Sequence, residues 1–189
     1  MKRLLLRYTA MSVLLIVAVL CSFGIPRREL RSTAQVAGIA LDEKDGKLYA
    51  AFELYSPVLD EPIGTKRQTV SSVGDSLQEC IDRAQRVGGE SLFTDDASVL
   101  IIGDGNEELM MQRVVDHYRQ LKNDRMDLPL FFTADQSASK IFAGEGVVLS
   151  GELSESAKAL NQVQTLRDFL NGTGQRVWIT GEGNYEIIS

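Results

Sequence analysis

Tyr8–Ile25 (YTAMSVLLIVAVLCSFGI) is a run of 18 residues without a charge, and no other feature limits the chain as strongly. A run of that length and apolarity is about the minimum that crosses a bilayer as a helix. Lys2, Arg3 and Arg7 precede it, which favours an N-terminus on the cytoplasmic side. Tyr8 and Phe23 lie near its ends, as interfacial aromatics do. Pro26 ends the apolar character, and Arg27, Arg28 and Arg31 come after it. The same order of basic then apolar residues also marks a secretory signal. The exit, SFGIPRR, however, offers no clean Ala-x-Ala-like cleavage site, and Pro26 would hinder cleavage just before it. Cys21 is a candidate for lipid attachment, although Leu20 stands where such processing favours a small residue. Three fates therefore fit: a retained membrane helix, lipid attachment at Cys21, or cleavage. All three export the remainder of the chain. The chain divides into a signal or anchor segment, residues 1–26, and an extracytoplasmic domain, residues 27–189.

The exported part is long enough to bury a real core as one domain. All 26 acids of the chain lie beyond residue 25, against 17 of the 20 Lys and Arg, so this part carries a net −9. Such a surface argues against a nucleic-acid ligand and against broad adhesion to anionic lipid. Its basic cluster, Arg27 to Arg31, stands where the chain would leave the membrane and could touch headgroups locally. With Cys21 in the apolar run, Cys80 has no partner for a disulfide within the domain. One histidine, His117, and no Cys/His cluster leave nothing for a zinc site of the usual kind.

Hydrophobic periodicity outlines the domain. AQVAGIALD reads as a strand, Asp45-Gly46 as its hairpin turn and LYAAFELY as the return strand. Pro57 and Pro62 bracket an exposed loop, and RQTVSSVG reads as a third strand. DSLQECIDRAQRVGG is a helix, with Ser76 and Glu79 at capping-box spacing. Its apolar face is Leu77, Cys80, Ile81, Ala84 and Val87, and Gly88 is its stop. SVLIIGD and LPLFFTAD are buried strands on either side of a helix, NEELMMQRVVDHYRQLK. A short helix at QSASKIFAG, a polar helical stretch from Ser154 to Leu170, and strands RVWIT and NYEII complete the reading. The expected fold is α+β, or mixed α/β, with an N-terminal membrane helix followed by one mixed-sheet domain and packed helices.

Two local patterns invite catalytic or cofactor readings, and both read better as structure. GDGNEE lies between a strand and a helix, as a dinucleotide loop would, but Glu108 takes the third glycine's place and Asp104, Glu107 and Glu108 would repel a pyrophosphate. Ser137-Ala-Ser-Lys140 has Ser-x-x-Lys spacing, yet the Lys-Thr-Gly strand that penicillin-binding enzymes add is missing from the sequence. His117 reads as a half-exposed helix residue with no nucleophile tied to it, and Asn171-Gly172-Thr173 reads as a turn. No catalytic residue, cofactor or metal site is expected.

The order of segments resembles the N-terminal domain of the Ger(x)C spore-germination proteins. The residues that carry the likeness are Cys21 closing an apolar leader, Arg28-Glu29-Leu30, Gly38-Ile39-Ala40-Leu41-Asp42, the strand and helix from Ser71 to Val87, and Ile102-Gly103-Asp104. The resemblance implies a non-enzymatic subunit of a nutrient-germinant receptor on the extracytoplasmic face of the spore inner membrane. It also implies membrane-embedded A- and B-type receptor subunits as partners. Arg27, Arg28, Glu29 and Leu30, with the loop from Pro57 to Pro62, are the expected partner contacts. The rival readings are an anchored small-molecule or peptide sensor unrelated to germination, and an exported hydrolase using Ser137.

If the helix itself is the anchor, Cys21→Ser leaves membrane association and chain size unchanged, because a spanning helix holds far more firmly than one acyl chain. Fractionation and mass measurement check this. Fatty-acid labelling that vanishes in Cys21→Ser, with a mature chain beginning at Cys21, would establish the lipid anchor instead.

Overall fold

The sheet grows from a two-residue turn. Asp45 (φ 55°) and Gly46 (φ 77°) both take left-handed backbone, the geometry of a tight hairpin that matches the twist of its strands. In the computed structural model, which describes residues 33–58, 64–121, 126–133, 137–143, 150–160, 163–179 and 185–188, this turn joins β1 (Thr33–Lys44) to β2 (Lys47–Val58). β3 (Gly64–Gly74) pairs antiparallel with β2 along its whole length. On the other side of β1, the strands β5 (Val99–Ile102), β6 (Leu130–Thr133) and β7 (Arg176–Ile179) run parallel to it, and β8 (Tyr185–Ile188) closes that edge antiparallel. The order is β3-β2-β1-β5-β6-β7-β8, with the short β4 (Ser91–Phe93) alongside the first residues of β1. Arg31–Ser189 forms one compact unit.

Each face of this mixed sheet carries helices, and each has its own core. On one face, α1 (Leu77–Gly88), α2 (Glu107–Gln120) and Leu166 of α5 (Leu166–Asn171) cover Ile39, Leu41, Phe52, Leu100, Ile102 and Phe132. On the other face, α3 (Ser139–Ala143) and α4 (Ser150–Leu160) cover Ala40, Ala51, Val99, Ile101, Phe131 and Val177. Residues 36–42 of β1 are buried without a break. That explains why its alternation is loose in the sequence: a strand covered on both sides has no polar face to show.

Local chemistry sets the helix ends. Ser76 caps α1 by accepting from the Glu79 N–H at 3.1 Å, and the Glu79 carboxylate takes the Asp75 N–H at 2.8 Å. Gly89, at φ 70°, ends the helix one residue later than expected. Asn106 caps α2, and Thr165 and Asp168 form a reciprocal capping box on α5.

The expected mixed-sheet domain with packed helices is present. The expected membrane helix falls within residues 1–32, outside the described residues. Among the described residues no helix is long and apolar enough to cross a membrane. Further details differ from the sequence reading. The polar stretch from Ser154 to Leu170 is two helices, because Val163 and Thr165 leave helical geometry to bridge Gln175 and Pro129. Val87 is 78 % exposed: it sits in the last turn of α1, and the buried face of that helix is Leu77, Cys80, Ile81 and Ala84. β4 is too short, at three residues, to leave a period-2 signature.

Cys80 is fully buried, with its Sγ 3.7 Å from the Leu48 carbonyl, and burial pushes its thiol up to about 11. Native protein is therefore expected to react with a water-soluble thiol reagent at Cys80 far more slowly than denatured protein, as followed by mass spectrometry of the Cys80 peptide. Cys80→Ala should cost about 1 kcal/mol in urea unfolding, through lost packing. Rapid native labelling would contradict this placement.

Candidate functional site

At the carboxyl ends of β1 and β5, where open α/β sheets present their ligand crevices, the structure places a buried carboxylate. Asp42 is 6 % exposed. It accepts from the Ala138 N–H at 2.7 Å, the Ser139 N–H at 3.1 Å and the Asp104 N–H at 3.2 Å, and also from the Ser137 hydroxyl. Both of its oxygens are thus engaged by the turn that starts α3 and by the loop after β5. A carboxylate in this position is stable because charged hydrogen bonds replace its lost hydration.

The approach requires two glycines. A Cβ on Gly103 would lie 2.0 Å from Asp42 Oδ1 and 2.5 Å from the Ala138 nitrogen, so no larger residue fits. A Cβ on Gly38 would meet Phe142 at 2.7 Å and Ser150 at 2.8 Å, where α3 and α4 press onto the strand. Gly38 also comes just after a bulge at Ala37 that shifts the register against β2. The two short motifs, Gly38 to Asp42 and Ile102 to Asp104, are thereby joined. They lie on adjacent parallel strands, with Leu41 opposite Ile102 and the Gly103 N–H donating to the Leu41 carbonyl at 2.8 Å.

Two further carboxylates work in the same way. Glu43 accepts from the Gly46 N–H at 2.6 Å and the Asn106 N–H at 3.0 Å, and these bonds, that from Asn106 foremost, hold its carboxyl below the ordinary range. The GDGNEE turn thus meets an anion supplied by the chain itself, at the place where a nucleotide-binding loop meets phosphate. Gly105, at φ 119°, lies against the Glu43 backbone, where a Cβ would come within 2.3 Å. Glu53 is fully buried on β2, takes the Ser150 N–H at the start of α4 at 2.8 Å, and pairs with Arg67 on β3 at 2.5 Å. Tyr55 lies nearby, and burial, then the Glu53 charge, raises its phenol.

This geometry assigns the sequence candidates. The Ser137 hydroxyl donates to Asp42 and contacts the Ser139 hydroxyl at 2.8 Å, while Lys140 is exposed. The Ser-x-x-Lys pattern therefore forms the docking turn of α3. His117 is 4 % exposed rather than half-exposed. It sits on the buried side of α2 edge-on to the Tyr118 ring, and burial lowers its pKa. Cys21, Arg27, Arg28, Glu29 and Leu30 lie outside the described residues, as do residues 59–63 of the proline loop. Their flanks are described: Thr33 starts β1, and Val58 and Gly64 are paired at the end of the β2–β3 hairpin. Because β2 runs antiparallel to β1, these flanks share the end of the sheet opposite Asp42. Sequence reasoning missed Asp42, Glu43 and Glu53 as a set. The one available signal was their position in strands that are otherwise apolar.

Among the described residues no group of three or more His, Cys, Asp and Glu is arranged to hold a metal ion. An open cleft below β5 and β6 is lined by Ser98, Pro129, Ser154, Lys158 and Val163. Its lining is mixed, unlike the deep apolar pocket expected of a small-molecule sensor.

Asp42→Asn replaces an acceptor-only group by one whose NH2 must face a backbone donor. It is expected to cost about 2–4 kcal/mol in urea unfolding, and Ser137→Ala about 1–2 kcal/mol. A neutral Asp42→Asn would show that the clamp does not hold α3.

Comparison with known proteins gives one family. The sequence model described as the spore germination protein N-terminal domain matches residues 26–171, which is well over half of the chain. No curated protein matches the chain, and no solved structure does.

Proposed function

The chain belongs to that spore-germination family, as a Ger(x)C-type N-terminal domain, and from this membership we propose that it is a non-enzymatic, membrane-anchored extracytoplasmic component of a nutrient-germinant receptor. It assembles with A- and B-type membrane subunits at the spore inner membrane. Family membership supports the role in germination, and the match across residues 26–171 is the observation that carries the reading. On this reading the anchor is the apolar run Tyr8–Ile25, which is long enough to cross the bilayer.

The geometry supports the finer reading in two ways. First, the groups that would have to do chemistry are engaged in holding the fold: Ser137 donates to Asp42, and Asp42, Glu43 and Glu53 each accept backbone N–H groups of turns and helix starts. Second, the flanks of the two expected contact segments, the Arg27–Leu30 stretch and the proline loop, converge on one end of the sheet. A single membrane-facing end can then engage membrane-embedded partners from both segments.

Affinity purification of the tagged full chain from spore membranes tests the proposal. A- and B-type subunits should be recovered with it. The double variant Arg27→Glu, Arg28→Glu should recover them about tenfold less well, which corresponds to about 1.4 kcal/mol of lost interaction. Recovery from membranes without either subunit would overturn the assembly.

A further inference from the structure

On the sheet face that carries α3 and α4, those helices stop short of the end where β1 begins. The last covered row contains Gly38 and Glu53, beneath Ser150. In the next row on this face Tyr55 is half-buried beside Ser150 of α4, and the residues on either side of it are exposed. Phe93 of β4 stands opposite Gln35 of β1, Gln35 opposite Tyr55 of β2, and Tyr55 opposite Arg67 of β3. Directly opposed residues share a face, so Phe93, Gln35, Tyr55 and Arg67 form one row across four strands, spanning roughly 15 Å at the usual strand spacing. Phe93 is 42 % exposed, Gln35 and Arg67 are exposed and Tyr55 is half-buried. The row is held in shape: Gln35 donates to Asp96 at 3.2 Å, and Arg67 is fixed by the buried Glu53.

We propose that this row, Phe93, Gln35, Tyr55 and Arg67, is the surface by which the domain rests on the lipid headgroup layer. The inference rests on the membrane-anchored reading of the chain. Its first support is tether length. Ten residues separate Ile25, the end of the uncharged run, from Gln35, so even a fully extended connection spans at most roughly 35 Å. Chemistry is the second support. Phe and Tyr flanking a polar residue, with an Arg at the end, are the side chains that settle at the bilayer interface, where aromatic bodies meet the acyl boundary and the cation meets phosphate. The third support is charge. The exported part is strongly acidic and is repelled by anionic lipid over most of its surface, whereas the sequence that leads into β1 includes Arg27, Arg28 and Arg31. Contact is therefore confined to this end of the domain, and Asp42 with the α2 start faces away from the membrane.

Single-tryptophan probes in the full chain test the orientation. In a Trp178→Phe background, one tryptophan is introduced at a time as Phe93→Trp, Tyr55→Trp or Tyr49→Trp. Tyr49 is 38 % exposed and lies on the same face of β2 as Tyr55, but about 20 Å further along the strand. Each protein is reconstituted into vesicles of phosphatidylcholine and phosphatidylglycerol that contain a headgroup nitroxide lipid. Tryptophan at 93 and at 55 should be quenched at least about twofold more strongly than at 49, because the quencher acts over less than the roughly 20 Å between them. Should Phe93→Trp fail to fold by circular dichroism, the pair 55 and 49 carries the comparison. Equal quenching at all positions, or the strongest at 49, overturns the proposal and leaves the anchor standing. A chain that washes off the vesicles in carbonate removes the anchor and the proposal together. Absent quenching, with photo-crosslinks from position 93 to a protein in spore membranes, would give the surface to a protein partner and overturn the lipid contact.

Discussion

The fold depends on a carboxylate almost wholly withdrawn from water. Asp42 ends the buried part of β1 with four donors around it, three of them backbone N–H groups. Through these bonds the central strand holds both the loop after β5 and the turn that launches α3. An ionised side chain at this depth is tolerated only if its partners are complete, since an unpaired buried charge costs several kcal/mol. Completeness in turn demands that Gly103 have no side chain, because any Cβ there would lie inside the Asp42 oxygen's contact distance. The aspartate on β1 and the glycine after β5 are therefore one structural element divided between two places in the sequence. The same reasoning accounts for Gly38, whose missing side chain lets Phe142 and Ser150 close onto the strand.

The short motifs by which the chain resembles its family take on a structural meaning from this joint. Gly-Ile-x-x-Asp and Ile-Gly-acid are its two halves, set on parallel strands, and what they encode is the docking of α3 and α4 on one face of the sheet. Family likeness carried by such residues speaks to architecture first. The route from architecture to germination runs through the family match over residues 26–171.

Much of this architecture was legible in the sequence. The hairpin at Asp45-Gly46, the capped helix from Leu77 and the paired buried strands around the second helix each rest on local chemistry: left-handed turn residues, a serine cap, apolar runs of strand length. What escaped depends on distant contacts. The burial of His117 comes from α1 and the loop before β5 closing over α2, and no local period reveals that. Val87 fits the apolar face of α1 by spacing but lies in the last turn of the helix, beyond the residues that pack. Asp42, Glu43 and Glu53 looked like scattered surface acids, because the donors to Asp42, and the Ser150 N–H that Glu53 accepts, come from about 60 to 100 residues further on. The partner-contact residues proposed from sequence, Arg27 to Leu30, remain a reading of sequence, since the described residues begin at Thr33.

A final consequence concerns where a surface for partners can lie. In open α/β sheets the carboxyl ends of the parallel strands ordinarily face ligand. Here that end is filled from within: Asp42 occupies the N–H groups of the α3 turn, and Glu43 occupies those of the turn before α2. Anions held by the chain itself thus take N–H groups at these helix starts that a phosphate or a carboxylate ligand would otherwise use. The opposite end is built differently. There β4 is three residues long, the β2–β3 hairpin runs on beyond Gln35, and Phe93 and Arg67 stand exposed. Aromatic and arginine side chains held on a sheet lose little freedom when covered, and they dominate contact surfaces for that reason. Asp42 and Glu43 thus do more than stabilise helices. By occupying the crevice end of the sheet, they leave the end where β1 begins, with Phe93 and Arg67 exposed, as the side better suited to contact.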